Sequence, residues 1–147
     1  MIRVDRTVAA TVDEVFAVLS DGWLYPLWVV GATHMRDVDE GWPAVGTRLH
    51  HAVGAWPLQI RDSTVVLEMV PQRRLELRAR VWPVGTALVS LDLEPVGGDT
   101  RVVMGEIAEA GPAAALPAAL QALTIKPRNR ECLSRLEDLA VHRAARH

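Results

Sequence analysis

Apolar and polar residues alternate from Ile2 to Val8, with Ile2, Val4, Arg6 and Val8 on one side and Arg3, Asp5 and Thr7 on the other. That two-residue period predicts a half-buried strand. The period then changes: Val12, Val15, Phe16 and Leu19 recur at helical spacing behind Thr11-Val12-Asp13-Glu14. In that tetrad the Thr11 hydroxyl can accept from the Glu14 N–H while the Glu14 carboxylate accepts from the Thr11 N–H, so it predicts a capped helix start. Ser20-Asp21-Gly22 supplies the stop. The next run, Trp23-Leu24-Tyr25-Pro26-Leu27-Trp28, is interrupted by Pro26 and predicts a second brief helix or turn.

From Val29 to Glu109 blocks of alternating residues are separated by Gly and Pro, the pattern of a strand meander. Breaks fall at Glu40 to Pro43, Gly54 to Pro57, Pro71-Gln72, Pro83 to Gly85 and Gly97-Gly98-Asp99, which divides the region into six strands. The paired glycines of the last break predict a tight hairpin supplied with positive φ values. Alternation is clearest where Leu75, Leu77, Ala79 and Val81 face away from Glu76, Arg78 and Arg80, and where Ala87, Val89, Leu91 and Leu93 face away from Leu88, Ser90, Asp92 and Glu94. One apolar and one wet face describe an antiparallel sheet covered on one side.

Beyond Gly111-Pro112 the chain turns rich in Ala and Leu, and Leu133, Leu136, Leu139 and Ala140 fall on one helical stripe. Pro127 can start that helix at its first position or kink a longer one beginning near Pro117; the start is the preferred reading, giving a helix from Arg128 to Arg143. The order of strand, two short helices, six strands and a long terminal helix is α+β. Only the terminal helix is long enough to cover a curved sheet of about seven strands. One helix cannot fill everything beneath such a sheet, so a hollow between the two is expected, and small ligands occupy such hollows.

Length and composition narrow the partners. At 147 residues the chain is expected to be one domain. Its 16 Lys plus Arg against 18 Asp plus Glu leave a net charge of -2, too little to draw in nucleic acid or an anionic lipid surface. No apolar run approaches a membrane span or a secretion signal, and the single cysteine, Cys132, cannot form an internal disulfide. A cytoplasmic protein with no membrane insertion is expected. Its partner is then a hydrophobic small molecule rather than nucleic acid, with a homodimer left open as an alternative to a monomer.

Several stretches in this order resemble the START-like or SRPBCC superfamily of helix-grip proteins, in its bacterial polyketide cyclase/dehydrase-like branch. They are Thr11 to Phe16, Gly46-Thr47-Arg48-Leu49-His50-His51, Trp56-Pro57-Leu58, Pro71 with Arg73-Arg74-Leu75, and Arg128-Asn129-Arg130-Glu131 with Leu133 and Leu136. The resemblance covers the whole length. It implies a helix-grip fold whose cavity holds an apolar molecule, with roles ranging over lipid or hormone binding, aromatic polyketide cyclisation, ring-hydroxylating subunits and chaperone cofactors. A shared fold of this kind does not fix function.

Candidate chemistry is sparse. His50 and His51 must point to opposite faces of a strand, so they cannot serve one site together; parity with Leu49 and Val53 puts His51 inward. A hairpin around Trp42 would bring His34 opposite position 50 or 51, where it could share a face with one of the pair. Two histidines without a third ligand make a poor zinc site, so neither a metal nor a cofactor is expected. Glu106 shares parity with Val102 and Met104; facing inward it would be a buried acid or base unless an Arg or His pairs with it. Reversed parity, with Val103 and Ile107 inward and Glu106 in water, is the simpler expectation.

Trp28, Trp56 and Trp82, at strand or turn edges, could wall a cavity, while Trp42 would staple its loop. The expected lining therefore joins Trp28, His34, His51, Trp56, Trp82 and Glu106 to the apolar positions Leu77, Ala79, Val89, Leu91, Met104 and Leu136. Arg74, Arg78 and Arg80 read as a solvated stripe with cross-strand ion pairs, and Cys132 as a small buried residue. Three function classes follow. The first is binding of an apolar or aromatic small molecule. The second is a cyclase or aromatase in which Glu106, His51 or His34 moves a proton. The third is a protein-interaction module using the outer sheet face.

Overall fold

In a computed structural model of the chain, which describes residues 1–30, 34–53, 60–81 and 85–145, each of these periods resolves into an element. β1 spans Ile2–Val8 and α1 Val12–Leu19. The capping box is formed, with Glu14 N–H donating to the Thr11 hydroxyl at 3.3 Å and Thr11 N–H to the Glu14 carboxylate at 3.0 Å. A 3-10 turn over Gly22–Leu24 leads into α2, Tyr25–Trp28. Gly22 does not act as a left-handed helix stop. It is buried, and a Cβ there would come within 2.5 Å of the Leu49 side chain and 2.8 Å of Val38, so glycine is needed for close approach to the sheet.

Six strands follow: β2 (His34–Val38), β3 (Arg48–Val53), β4 (Ile60–Val70), β5 (Arg74–Val81), β6 (Gly85–Val96) and β7 (Asp99–Ala110). With β1 they form one antiparallel seven-stranded sheet in the order β1-β7-β6-β5-β4-β3-β2. β1 skips the whole meander to pair with β7, from Ile2 opposite Glu106 to Val8 opposite Thr100. At the β6–β7 hairpin only Gly97, φ 63°, supplies a positive φ, fewer than the paired glycines suggested. On the wet face Arg74 binds Asp92, Glu76 and Glu68, and Arg78 binds Glu109, which is the expected ion-paired stripe.

The terminal helix, α3, runs from Ala118 to Ala145, 28 residues with Pro127 inside it. The preferred start at Arg128 is therefore corrected. A proline deletes one intrahelical bond, to the carbonyl four residues back; that residue, Leu123, is 74% exposed, so water can take up the released carbonyl and the helix continues. α3 packs on β1, α1, α2 and β7. Its sheet-facing stripe changes character along its length. Leu133, Leu136 and Ala140 interlock with Val8, Val15, Val18, Leu91 and Val102 in a close-packed core. Earlier on the same stripe stand Gln121, Ile125, Arg128 and Asn129, which do not fill the space beneath them. The hollow is a consequence of that change.

Candidate functional site

The hollow has a volume of about 280 Å³. Its floor comes from alternate residues of the sheet: His51 on β3, Thr64 on β4, Leu77 and Ala79 on β5, Ala87 and Val89 on β6. Met104 and Glu106 on β7 close one side, Tyr25, Trp28, Val29 and Val30 another, and Arg128, Asn129 and Cys132 of α3 form the roof. A second cavity of about 320 Å³ lies under the first turns of α3, against Leu116, Leu120, Gln121 and Ile125. Ala87, Glu106 and Arg128 line both, so the Glu106–Arg128 pair stands where the two meet.

Two polar groups interrupt the apolar lining. On β7, Val102, Met104 and Glu106 all point inward and are buried, which overturns the simpler expectation of a solvated Glu106. Burial is sustained because partners are present: Arg128 donates to both Glu106 oxygens through Nη2, and Asn129 Nδ2 donates to Oε1 at 3.1 Å. Arg128 Nε and Asn129 Oδ1 are buried with no hydrogen-bond partner in the protein. A carboxylate is acceptor-only, so the Asn129 amide must turn its nitrogen to Glu106 and leave its oxygen free.

The second group lies across the cavity. His51 Nε2 is 3.1 Å from the Thr64 hydroxyl, and the imidazole stacks on Tyr25 with centroids 6.1 Å apart; His51 Nδ1 has no partner. Burial pushes the His51 imidazole below its usual range, the nearby Asp62 carboxylate opposing it, so His51 is neutral at pH 7. Burial also holds the Tyr25 phenol protonated well into the basic range, against a hydrogen bond with Thr64. Trp28 meets Tyr25 edge-on at 5.6 Å and is the last residue of a helix, not part of a strand edge. Cys132 is buried, accepts from the Val30 N–H at 3.4 Å and has its thiol raised by burial, which leaves it an inert wall.

Of the residues expected at the hollow, Trp28, His51, Leu77, Ala79, Val89, Met104 and Glu106 line it. His34 does not: β2 pairs with β3 so that Met35 faces His51 and His34 faces Ala52, and His34 is exposed. Leu91 and Leu136 are fully buried in the packed core rather than at the cavity, because there the two surfaces touch. Trp56 and Trp82 lie outside the described residues. His50 points away and binds Asp39 at 2.8 Å, and Trp42 Nε1 donates to the Leu19 carbonyl at 3.1 Å, tying its loop to α1. Sequence reasoning missed Tyr25, Thr64, Arg128 and Asn129. Parity with Asp62 and Val66 could have placed Thr64 inward, whereas the Arg128 and Asn129 positions depend on how far α3 extends. Among the described residues no three His, Cys, Asp or Glu side chains gather as metal ligands, and no helix is long and apolar enough to cross a membrane.

A family model described as polyketide cyclase/dehydrase and lipid transport matches residues 1–141. Among solved structures, protein NE0264 of Nitrosomonas europaea superposes with a TM-score of 0.71 at 16% identity, over 95% of this chain and 93% of that one. Ara h 8.0201 gives 0.69 at 13% identity, over 95% and 96%. DynU16, described as a putative protein in the dynemicin biosynthetic locus, gives 0.65 at 21% identity, over 93% of this chain but 45% of that one. At these identities the likeness is one of fold. Comparison with curated proteins by sequence finds no match.

Proposed function

Because this chain belongs to the polyketide cyclase/dehydrase and lipid transport family, we propose that it binds an apolar or aromatic small molecule in the cavity between the sheet and α3, the chain acting as one helix-grip domain. The observation that carries this reading is a hollow of about 280 Å³, walled mainly by Trp28, Leu77, Ala79, Val89 and Met104, beside the buried cluster around Leu133 and Leu136. Ligand pockets run from roughly 300 to 1,000 Å³, and a dry cavity near 150 Å³ takes one benzene ring, so a molecule of about two fused rings matches the space. The test is native mass spectrometry of the purified protein beside an Ala79→Trp variant. A bound small molecule carried by the first and absent from the second is expected; equal retention by both would remove the cavity as its seat.

One observation favours a second reading, a cyclase or aromatase-type enzyme. Tyr25, Thr64 and the neutral His51 form a connected polar group at the cavity wall, the kind of arrangement that can hold and pass a proton while apolar walls fold a reactive chain. In that reading His51 is the base and Glu106 does not take part, since its carboxylate is engaged by Arg128 and Asn129. His51→Gln would then stop turnover of the bound molecule and leave its affinity nearly intact. Turnover unchanged in that variant would rule out His51 as the base.

A further inference from the structure

Resting on the binding reading above, we infer that the ligand is electrically neutral and carries a group that both accepts and donates a hydrogen bond, a hydroxyl or a carboxamide, read by Arg128 Nε–H and Asn129 Oδ1. Both residues line the cavity. Asn129 is 1% exposed, and the Arg128 Nε atom, though the outer part of that side chain reaches solvent, is itself buried. The ion pair fixes which atoms are left over: Arg128 spends Nη2 on both oxygens of Glu106, and Asn129 spends Nδ2 on one of them. On adjacent residues of α3, one buried donor and one buried acceptor are left without a protein partner, and across the cavity His51 Nδ1 is a third such atom.

The charges select among ligands. A carboxylate or phosphate could accept from Arg128 Nε, but it would face the Asn129 oxygen and the Glu106 carboxylate, and the guanidinium charge that would attract it is already matched. An ammonium could donate to Asn129 but has nothing to accept from Arg128. A pure hydrocarbon satisfies neither atom, and buried polar groups without partners weigh against binding. A hydroxyl or a carboxamide meets both needs at once.

Equilibrium dialysis at pH 7 against naphthalene, 2-naphthol and 2-naphthoate separates the cases with one ring system, the naphthol being neutral because phenols ionise near pH 10. The wild-type protein should hold 2-naphthol about tenfold more tightly than naphthalene, the worth of one net hydrogen bond, and 2-naphthoate at least about tenfold more weakly than the naphthol. In Asn129→Leu the preference for naphthol over naphthalene should fall to within about threefold. Naphthol no tighter than naphthalene in the wild type, with both excluded by Ala79→Trp, would overturn the inference and leave the apolar-binding reading standing. Naphthoate binding as well as naphthol would overturn the claim of neutrality. Failure of all three to bind the wild type would overturn the binding reading and this inference with it.

Discussion

Arg128 of α3 reaches across to Glu106 of β7 and grips both carboxylate oxygens, at the point where the two cavities beneath the helix adjoin. The two partners are unequally buried: the Glu106 side chain is 7% exposed and that of Arg128 39%. A charge that can reach water survives the loss of its partner better than one that cannot.

That inequality predicts an asymmetric pair of variants. Arg128→Met strands a buried carboxylate beside Asn129 alone and should cost about 2–4 kcal/mol, whereas Glu106→Gln leaves a guanidinium with solvent access and should cost about 1–2 kcal/mol. Urea denaturation of the two variants measures the difference. Equal losses, or a larger loss for Glu106→Gln, would contradict the burial argument.

Cavity wall and packed core should separate experimentally. Ala79→Trp adds bulk into open space and should block uptake of 2-naphthol with little change in Tm. Leu136→Ala, at a fully buried site away from the cavity, should cost about 2–5 kcal/mol while 2-naphthol affinity stays within about twofold. The two titrations and two melts together check the placement, and a Leu136→Ala protein that melts normally would refute the packed half of it.

Acid should weaken the fold through His51. An unfolded His51 takes up its proton near pH 6.5, the buried one only at lower pH, because burial disfavours the imidazolium. Between those values the unfolded chain binds more protons, so the stability owed to neutral His51 is complete above about pH 6.5 and is lost as pH falls through the folded value. Wild type should therefore lose Tm faster than His51→Gln on acidification from about pH 7 to about pH 5. A constant difference between the two across that range would count against a buried neutral imidazole.

Pro127→Ala should raise stability, since it restores a donor to the Leu123 carbonyl within α3 and removes a residue that costs a helix interior about 3 kcal/mol relative to alanine. The gain should be smaller than that figure because the residues around it are exposed. Thermal melting checks the sign. A loss of stability would mean that Arg128 begins the helix after all.

The alternation of β5 and β6 and the capping box at Thr11 were legible in the sequence because both are local: each depends on residues within one strand or one turn. His51 was placed inward by the same parity. Glu106 departs from the simpler expectation because its burial rests on Arg128 and Asn129, more than twenty positions away and on a helix that runs through Pro127 instead of starting after it. His34 failed for a related reason. Which residue of β3 it meets is set by the pairing of two strands, including an irregularity between Met35 and Asp37, and not by its own neighbours.

The pairing of β1 with β7 places the sheet's two most distant strands side by side, with α3 laid over β1. During synthesis β1 leaves the ribosome about a hundred residues before its partner does, a wait of roughly 5–20 s at 5–20 residues per second. Throughout that interval Ile2, Val4 and Val8 lack the β7 partner they have in the folded sheet, and the β6 edge is unpaired until β7 arrives. The grip of helix on sheet therefore requires the last-made part of the chain, and a nascent chain stalled before β7 presents an unpaired strand edge to any chaperone in reach.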